Sequence, residues 1–328
     1  MAVYTKLSRE QIVDIVHKYD IGQLHDFKEI VQGIDNSNFV IFCENKKFIL
    51  TIFESRIKQE DLPFFINLKL HLAKNNICCP FPIINKSGHV IDQYQNKKIS
   101  IVSFLEGKIL ENRNDGYYDN ITDNHCFSVG NILSRMHIAS SGFKEKRIND
   151  LGIDGFNSLL NRFTNQVNQY QTNLFEEITS AINFVKENWD YGLNNGACHL
   201  DLFPDNVFFD NYSNVSGVID FYFAANDLLI YDFAICVNAW CFDENNNFIE
   251  SRFKKMLDGY QKNRLFKIEE INFLKIALIA ASLRFLLTRL YDMFFTKKDS
   301  LVNIKNPQEY IAKLRFFLNK YDNKTFFL

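Results

Sequence analysis

The chain has 328 residues, 47% apolar and 23% charged, a globular make-up long enough for about two domains and too apolar for a disordered protein. Its 37 basic and 39 acidic side chains leave a formal net charge of −2, which argues against a broad electrostatic footprint for nucleic acid. Seven cysteines form an odd set without a C-x-x-C pair, so free thiols in a reducing cytoplasm are expected rather than disulfides or a zinc site. Phe is abundant at 33 residues, a bias that carries little weight for function.

In chain order, the first 18 residues read as a helix rather than a secretory signal, with Ser8 and Gln11 spaced as a capping box and Ile12, Ile15, Val16 and Tyr19 on one face. Strands are expected at Phe27–Gln32, Phe39–Glu44 and Phe48–Glu54, the last two joined by the turn Asn45–Lys47. A helix follows from about Glu60 to Lys74, with Pro63 acceptable only in its first turn. A second hairpin is expected from Val90–Tyr94, the turn Gln95–Lys98 and Ile99–Leu105.

Beyond Glu106 the pattern becomes helical. Phe127, Ile132, Leu133 and Met136 recur at helical spacing, as do Leu159, Leu160, Phe163, Val167 and Tyr170, then Ile178, Ala181, Ile182, Val185 and Trp189. Short strands at Val207–Phe209 and Val215–Phe221 interrupt the trend, and helices resume from Asp232. Phe273–Phe295 is the greasiest stretch, but Lys275, Arg284 and Arg289 mark it as a buried helix and not a membrane span. The expected plan is α+β: residues 1–105 as a small antiparallel-sheet lobe and 106–328 as a larger, mainly helical lobe, with a hinge at 103–107.

The densest polar chemistry is Cys198-His-Leu-Asp-Leu-Phe-Pro-Asp-Asn206, followed by Gly217-Val-Ile-Asp-Phe221. His199-x-Asp201 with Asn206 five residues after the Asp has the spacing of a protein-kinase catalytic loop, and Asp220 closes the hairpin where kinases keep a metal-binding Asp. The residue types suit the chemistry. One carboxylate receives a hydroxyl proton, while an amide oxygen and a second carboxylate supply hard donors to Mg²⁺ on a nucleotide. An isolated H-x-D is common and Asp/Asn pairs often only form turns; the complete set with its hairpin is far more restrictive.

The strings HLDLFPDNVFF and SGVIDFYFAANDLLIYDFAICVNAWCF resemble the type II homoserine kinases, in the aminoglycoside/choline kinase-like branch of the kinase fold. LRFLLTRLYD, GIDNSNF, FILTIFESR, DLPFF and VSFLEG resemble them too, so the similarity spans nearly the whole chain. The resemblance implies a two-lobed protein-kinase-like fold that uses ATP and Mg²⁺ to phosphorylate L-homoserine, with no membrane or nucleic-acid partner. It implies Asp201 as the group that orients the substrate hydroxyl and accepts its proton, and Asn206 and Asp220 as metal ligands. His199 and Asp232 would brace the loop. The backbone of Ser103–Leu105 would pair with adenine, and Asn36 and Ser37 would donate to phosphate oxygens from the turn Gly33–Asn38.

Two departures from the kinase pattern stand out. The turn has one glycine rather than three, and Thr51 occupies the strand position of the usual phosphate-binding Lys, for which Lys47 and Arg56 are the nearby substitutes. A homoserine carboxylate calls for an Arg, because a guanidinium forks onto a carboxylate. Arg284 and Arg289 are the candidates, with Tyr222 as a pocket wall; lying five residues apart on a helix, the two Arg point about 140° apart. Arg289 has a competing role in a surface pair with Asp292. The remaining alternatives are another hydroxyl acceptor (choline, ethanolamine, an aminoglycoside or a sugar) and, given the absent Lys, a non-catalytic pseudokinase.

Overall fold

The computed structural model describes residues 5–30, 36–54, 58–110, 118, 120–296 and 304–322. The chain divides into two compact units, Met1–Glu106 and Gly107–Leu328. In the first, α1 (Arg9–Val16) begins at Ser8, whose hydroxyl accepts from the Gln11 N–H while the Gln11 side chain accepts from the Ser8 N–H, the expected reciprocal cap. A five-stranded antiparallel sheet follows, in the order β1 (Leu24–Ile30), β2 (Asn36–Cys43), β3 (Lys46–Phe53), β5 (Lys97–Ser103), β4 (Asp92–Tyr94). Alternation along the strands aims Phe39, Ile41, Leu50, Ile52, Ile99 and Ile101 into one cluster with Ile12, Ile15, Val16 and Tyr19 of α1. Helix α2 (Leu62–Lys74) carries Pro63 in its first turn, where the missing N–H costs nothing.

The second unit is mainly helical: α3 (Asp123–Ser140), α4 (Phe156–Leu160), α5 (Thr164–Tyr170), α6 (Leu174–Glu187), α7 (Leu229–Trp240), α8 (Glu250–Gln261), α9 (Ile268–Phe295) and α10 (Gln308–Asn319). The periodic run at 159–170 is not one helix. It breaks at Asn161–Phe163 into α4 and α5, and the buried Phe163 sits at the break. Among the described residues α9 is the one helix long and apolar enough to cross a bilayer; 67% of its most apolar stretch is buried inside the protein, against α7, α10, α6 and α4.

Two short strand pairs frame the polar loop. β7 (Val207–Phe209) and β8 (Val215–Val218) form the expected hairpin. β6 (Asn195–Cys198) and β9 (Ala225–Leu228) form a second pair that local pattern does not reveal. β6 delivers the chain into His199, and β9 delivers it into α7, so this pair sets the loop beside Asp232 in the first turn of that helix.

Helices α3 and α8 cross at contact distance, and two glycines make this possible. A Cβ at Gly130 would lie 2.0 Å from the Met256 carbonyl oxygen, and one at Gly259 would lie 2.0 Å from the Phe127 carbonyl oxygen. Backbone cannot yield as a flexible side chain can, so Gly259→Ala is expected to destabilise the protein by about 3 kcal/mol, the upper end of ordinary overpacking. Urea denaturation of the variant measures this; an unchanged midpoint would mean that the helices separate freely.

Candidate active site

The loop from His199 to Asn206 is shaped by buried groups that grip its backbone. The Asp232 carboxylate accepts from the His199 N–H and the Leu200 N–H, both at 2.8 Å. Leu200 is thereby held at φ 62°, a left-handed conformation that costs a residue with a branched side chain about 1–3 kcal/mol. Two hydrogen bonds to a carboxylate, each worth about 1.5–3 kcal/mol, offset that cost. Arg284 Nη1 donates to the Leu200 carbonyl (2.5 Å), and Trp240 Nε1 donates to the Leu202 carbonyl (2.8 Å). Burial raises the Asp232 carboxyl, but the hydrogen bond and charge of His137, the His199 ring and the His199 N–H outweigh it and hold the group below the usual carboxylate range.

His199 braces rather than reacts. Its Nδ1 accepts from the Asp201 N–H (3.2 Å), which assigns the ring proton to Nε2, and that nitrogen donates to the Ile219 carbonyl (2.9 Å). Both nitrogens are occupied, and burial lowers its pKa, favouring the neutral ring.

Around this frame stand the three predicted reactive side chains. Asn206 Nδ2 donates to the Asp201 backbone carbonyl (2.8 Å) and to its carboxylate oxygen Oδ2 (3.3 Å). The Asn206 carbonyl accepts from the Ile219 N–H (3.0 Å), which fixes the residue before Asp220 beside it. Asp220 is itself left-handed at φ 63°, the second non-glycine residue so held here. Asp201 and Asp220 are partly exposed, whereas Asn206 is buried. With its NH₂ committed to Asp201, Asn206 presents Oδ1 as an oxygen donor on the side away from that bond, and Asp220 adds a carboxylate. These are hard oxygen donors of the kind Mg²⁺ takes, so the set fits that ion.

A relay runs outward from Asp232. His137 Nε2 lies 3.1 Å from its Oδ2, His137 Nδ1 lies 2.8 Å from the Tyr260 hydroxyl, and Arg264 donates to that hydroxyl (3.1 Å) and to Glu270 (2.6 Å). His137 and Tyr260 belong to α3 and α8, so the glycine crossing positions this relay. Sequence reasoning missed His137; the available signal was a polar ring one residue past the apolar stripe of Leu133 and Met136. Cys198 lies with His137 and Asp232 in a cluster of metal-ligand type, but burial pushes its thiol up and the other two groups bond each other.

Several expectations need correction. Ser37 is fully buried, accepts from the Thr5 N–H and donates its hydroxyl to Glu54 (2.7 Å), which also pairs with Lys97; that proton is committed away from any phosphate. The Ser103 N–H is bonded to the Phe81 carbonyl (2.8 Å), so this donor of the expected adenine-pairing strand is already taken. Arg289 pairs with Glu309 (2.5 Å) and the Asn306 carbonyl (2.9 Å) and stacks over Tyr310, so neither a substrate carboxylate nor Asp292 is its partner.

The other predicted positions are as follows. Asn36 is buried and accepts from the Glu54 N–H (3.3 Å), and Tyr222 sits half-buried in the turn Phe221–Phe223. Thr51 is buried and donates to Asn38 Oδ1 (2.8 Å). Lys47 pairs with Glu106. Gly33 and Arg56 lie outside the described residues.

Residues 26–266 match the profile of the phosphotransferase enzyme family. The chain belongs to that family. It is 40% identical over 316 residues to the homoserine kinase of Rhizobium etli strain CIAT 652, covering 96% of each protein. It is equally identical to the homoserine kinase of Agrobacterium fabrum strain C58, covering 96% of this chain and 95% of that one. Among solved structures, an amicoumacin kinase complexed with AMP-PNP, Ca²⁺ and its drug superposes with a TM-score of 0.69 over 97% of both chains at 11% identity. A microcompartment-associated aminopropanol kinase gives 0.66 over 95% of this chain and 97% of the other at 13% identity. At such identities the likeness establishes the kinase-like fold; with the antiparallel sheet and the helices, it makes this member of the family an α+β protein.

Proposed function

We infer that this phosphotransferase is a homoserine kinase, transferring the γ-phosphoryl group of ATP to the side-chain hydroxyl of L-homoserine to give O-phospho-L-homoserine for threonine synthesis. The observation that carries the reading is 40% identity with homoserine kinases across 96% of the chain, joined to an intact Asp201, Asn206 and Asp220 set. The intact set also disfavours the pseudokinase alternative. A reducing cytoplasm is the proposed place of action, on the odd set of seven cysteines without a C-x-x-C pair.

Asp201 points a carboxylate oxygen at the acceptor hydroxyl and takes its proton as the new O–P bond forms and the bond to the ADP oxygen breaks. The Asn206 amide NH₂ keeps that carboxylate in one rotamer, so the base is aimed before the substrate arrives. Asn206 Oδ1 and Asp220 would hold Mg²⁺, which when bound offsets charge on the ATP phosphates. The N-terminal unit is assigned nucleotide binding, through the backbone at Leu105 and through Asn36 at the start of β2.

An ADP-release assay across acceptors tests the reading. L-Homoserine is expected to give the highest kcat/KM against choline, ethanolamine, an aminoglycoside and a sugar alcohol; faster turnover of any of these would reassign the acceptor.

A further inference from the structure

Arg284 is 2% exposed, and one of its N–H donors is unused. Nη1 bonds the Leu200 carbonyl, Nε has no hydrogen-bond partner among the described residues, and the guanidinium lies over the rings of Phe223 (5.7 Å) and Phe285 (4.9 Å). The buried Asp227 carboxylate interacts with the Arg284 charge, but it is hydrogen-bonded to Asn149 and the Leu228 N–H, and the Arg284 Nε is left without the acceptor that a bound anion would supply.

Arg284 also lines a cavity of about 390 Å³. On the cavity's other walls are Arg162, whose guanidinium stacks 5.0 Å over Tyr291, and Asp150, whose carboxylate meets Arg147 at 3.0 Å while staying half-exposed. Phe156 and Leu159 complete an apolar side. The cavity adjoins the reactive loop, because the carbonyl that Arg284 grips belongs to the peptide joining Leu200 to Asp201. A second, smaller hollow near Arg289 is less suited to an anion: Glu309 already answers Arg289 and Lys313, and Asp205 lies 4.0 Å from Lys305.

We propose that the cavity bounded by Arg284, Arg162 and Asp150 seats the amino-acid end of the acceptor, the two Arg receiving the carboxylate and Asp150 the ammonium group. This rests on the homoserine kinase reading and adds a specificity pair, Arg162 and Asp150, drawn from the segment before and after α4. In homoserine four bonds separate the carboxylate carbon from the hydroxyl oxygen, a reach of roughly 5 Å, so a head group held beside Leu200 leaves the hydroxyl next to Asp201. A guanidinium on each side of one carboxylate supplies paired N–H donors, and the apolar wall excludes water from them.

The test uses Arg162→Gln, because Arg162 is exposed and touches no backbone of the loop, whereas Arg284 would disturb it. Steady-state rates are measured for L-homoserine, for 3-aminopropan-1-ol, which lacks the carboxylate, and for 4-hydroxybutyrate, which lacks the ammonium. Loss of one charge-assisted contact is expected to raise KM for homoserine about 10–100-fold with kcat and KM for ATP little changed. The preference of the wild type for homoserine over 3-aminopropan-1-ol is expected to fall by the same factor, and Arg162→Lys to restore part of it. Asp150→Asn is expected to erode the preference over 4-hydroxybutyrate instead. If Arg162→Gln slows both acceptors equally, or leaves the preference intact, the subsite assignment is overturned while the kinase reading stands. A wild-type enzyme that never turns over homoserine overturns the reading itself.

Discussion

Asp201→Asn is expected to lower kcat by about 10²–10⁴-fold, the range that a positioned general base contributes, with little change in KM for ATP. The substitution keeps the size of the side chain and removes only the acceptor that takes the hydroxyl proton. The loop should survive it: the grips on its backbone come from Asp232, Arg284 and Trp240, and none depends on the Asp201 carboxylate. Rapid-quench or coupled ADP assays give kcat, and a thermal melt checks the fold. A variant retaining rates within tenfold of the wild type would remove Asp201 from proton transfer and leave positioning as the whole of catalysis.

The largest stability effect is expected at Glu309. Its two carboxylate oxygens meet Arg289 and Lys313 at 2.5 Å each, and Lys313 is buried with a further bond to the Asn238 carbonyl (2.7 Å). Burial raises the Glu309 carboxyl, but the charges of Lys313 and Arg289 and their hydrogen bonds prevail and lower it to about 2. Glu309→Gln strands two buried cations against each other and is expected to cost about 3–5 kcal/mol at neutral pH in urea denaturation. The sign of the pH dependence follows. The folded-state pKa lies below the unfolded value near 4.5, so the contribution is complete above that value and is lost as pH falls toward 2. The gap between wild type and variant should therefore narrow across that acid range. A gap that stays constant from pH 6 to pH 3 would mean that Glu309 is not held ionised by its partners.

Features written in local pattern were legible in the sequence. The Ser8–Gln11 cap, the strand alternation of the sheet and the spacing of Asp201 and Asn206 each lie within a few residues of their cause, and a local hairpin returns the chain to Asp220. What depends on distant partners was hidden. β6 and β9 are four residues each, Asn-Gly-Ala-Cys and Ala-Asn-Asp-Leu, without apolar alternation, and they pair across 30 residues. Arg289 reads locally as a partner of Asp292, yet a return of the chain brings Glu309 to it. Ser37 reads as a phosphate donor from its turn, while Glu54, seventeen residues on, takes the hydroxyl proton. The break at 161–163 is also silent in the apolar spacing: Phe163 is buried as that spacing expects, but its backbone leaves the helical region.

The grip on the catalytic loop bears on which substitutions the loop can absorb. Asp232 takes the N–H groups of residues 199 and 200, which every residue except proline has, and Arg284 and Trp240 take the carbonyls of residues 200 and 202, which all have. These grips do not read the side chains of residues 200 and 202, whereas His199, Asp201 and Asn206 enter the network through theirs. Exchange of Leu200 or Leu202 for another residue with an N–H therefore leaves these hydrogen bonds in place, whereas loss of the His199 ring removes two of its own.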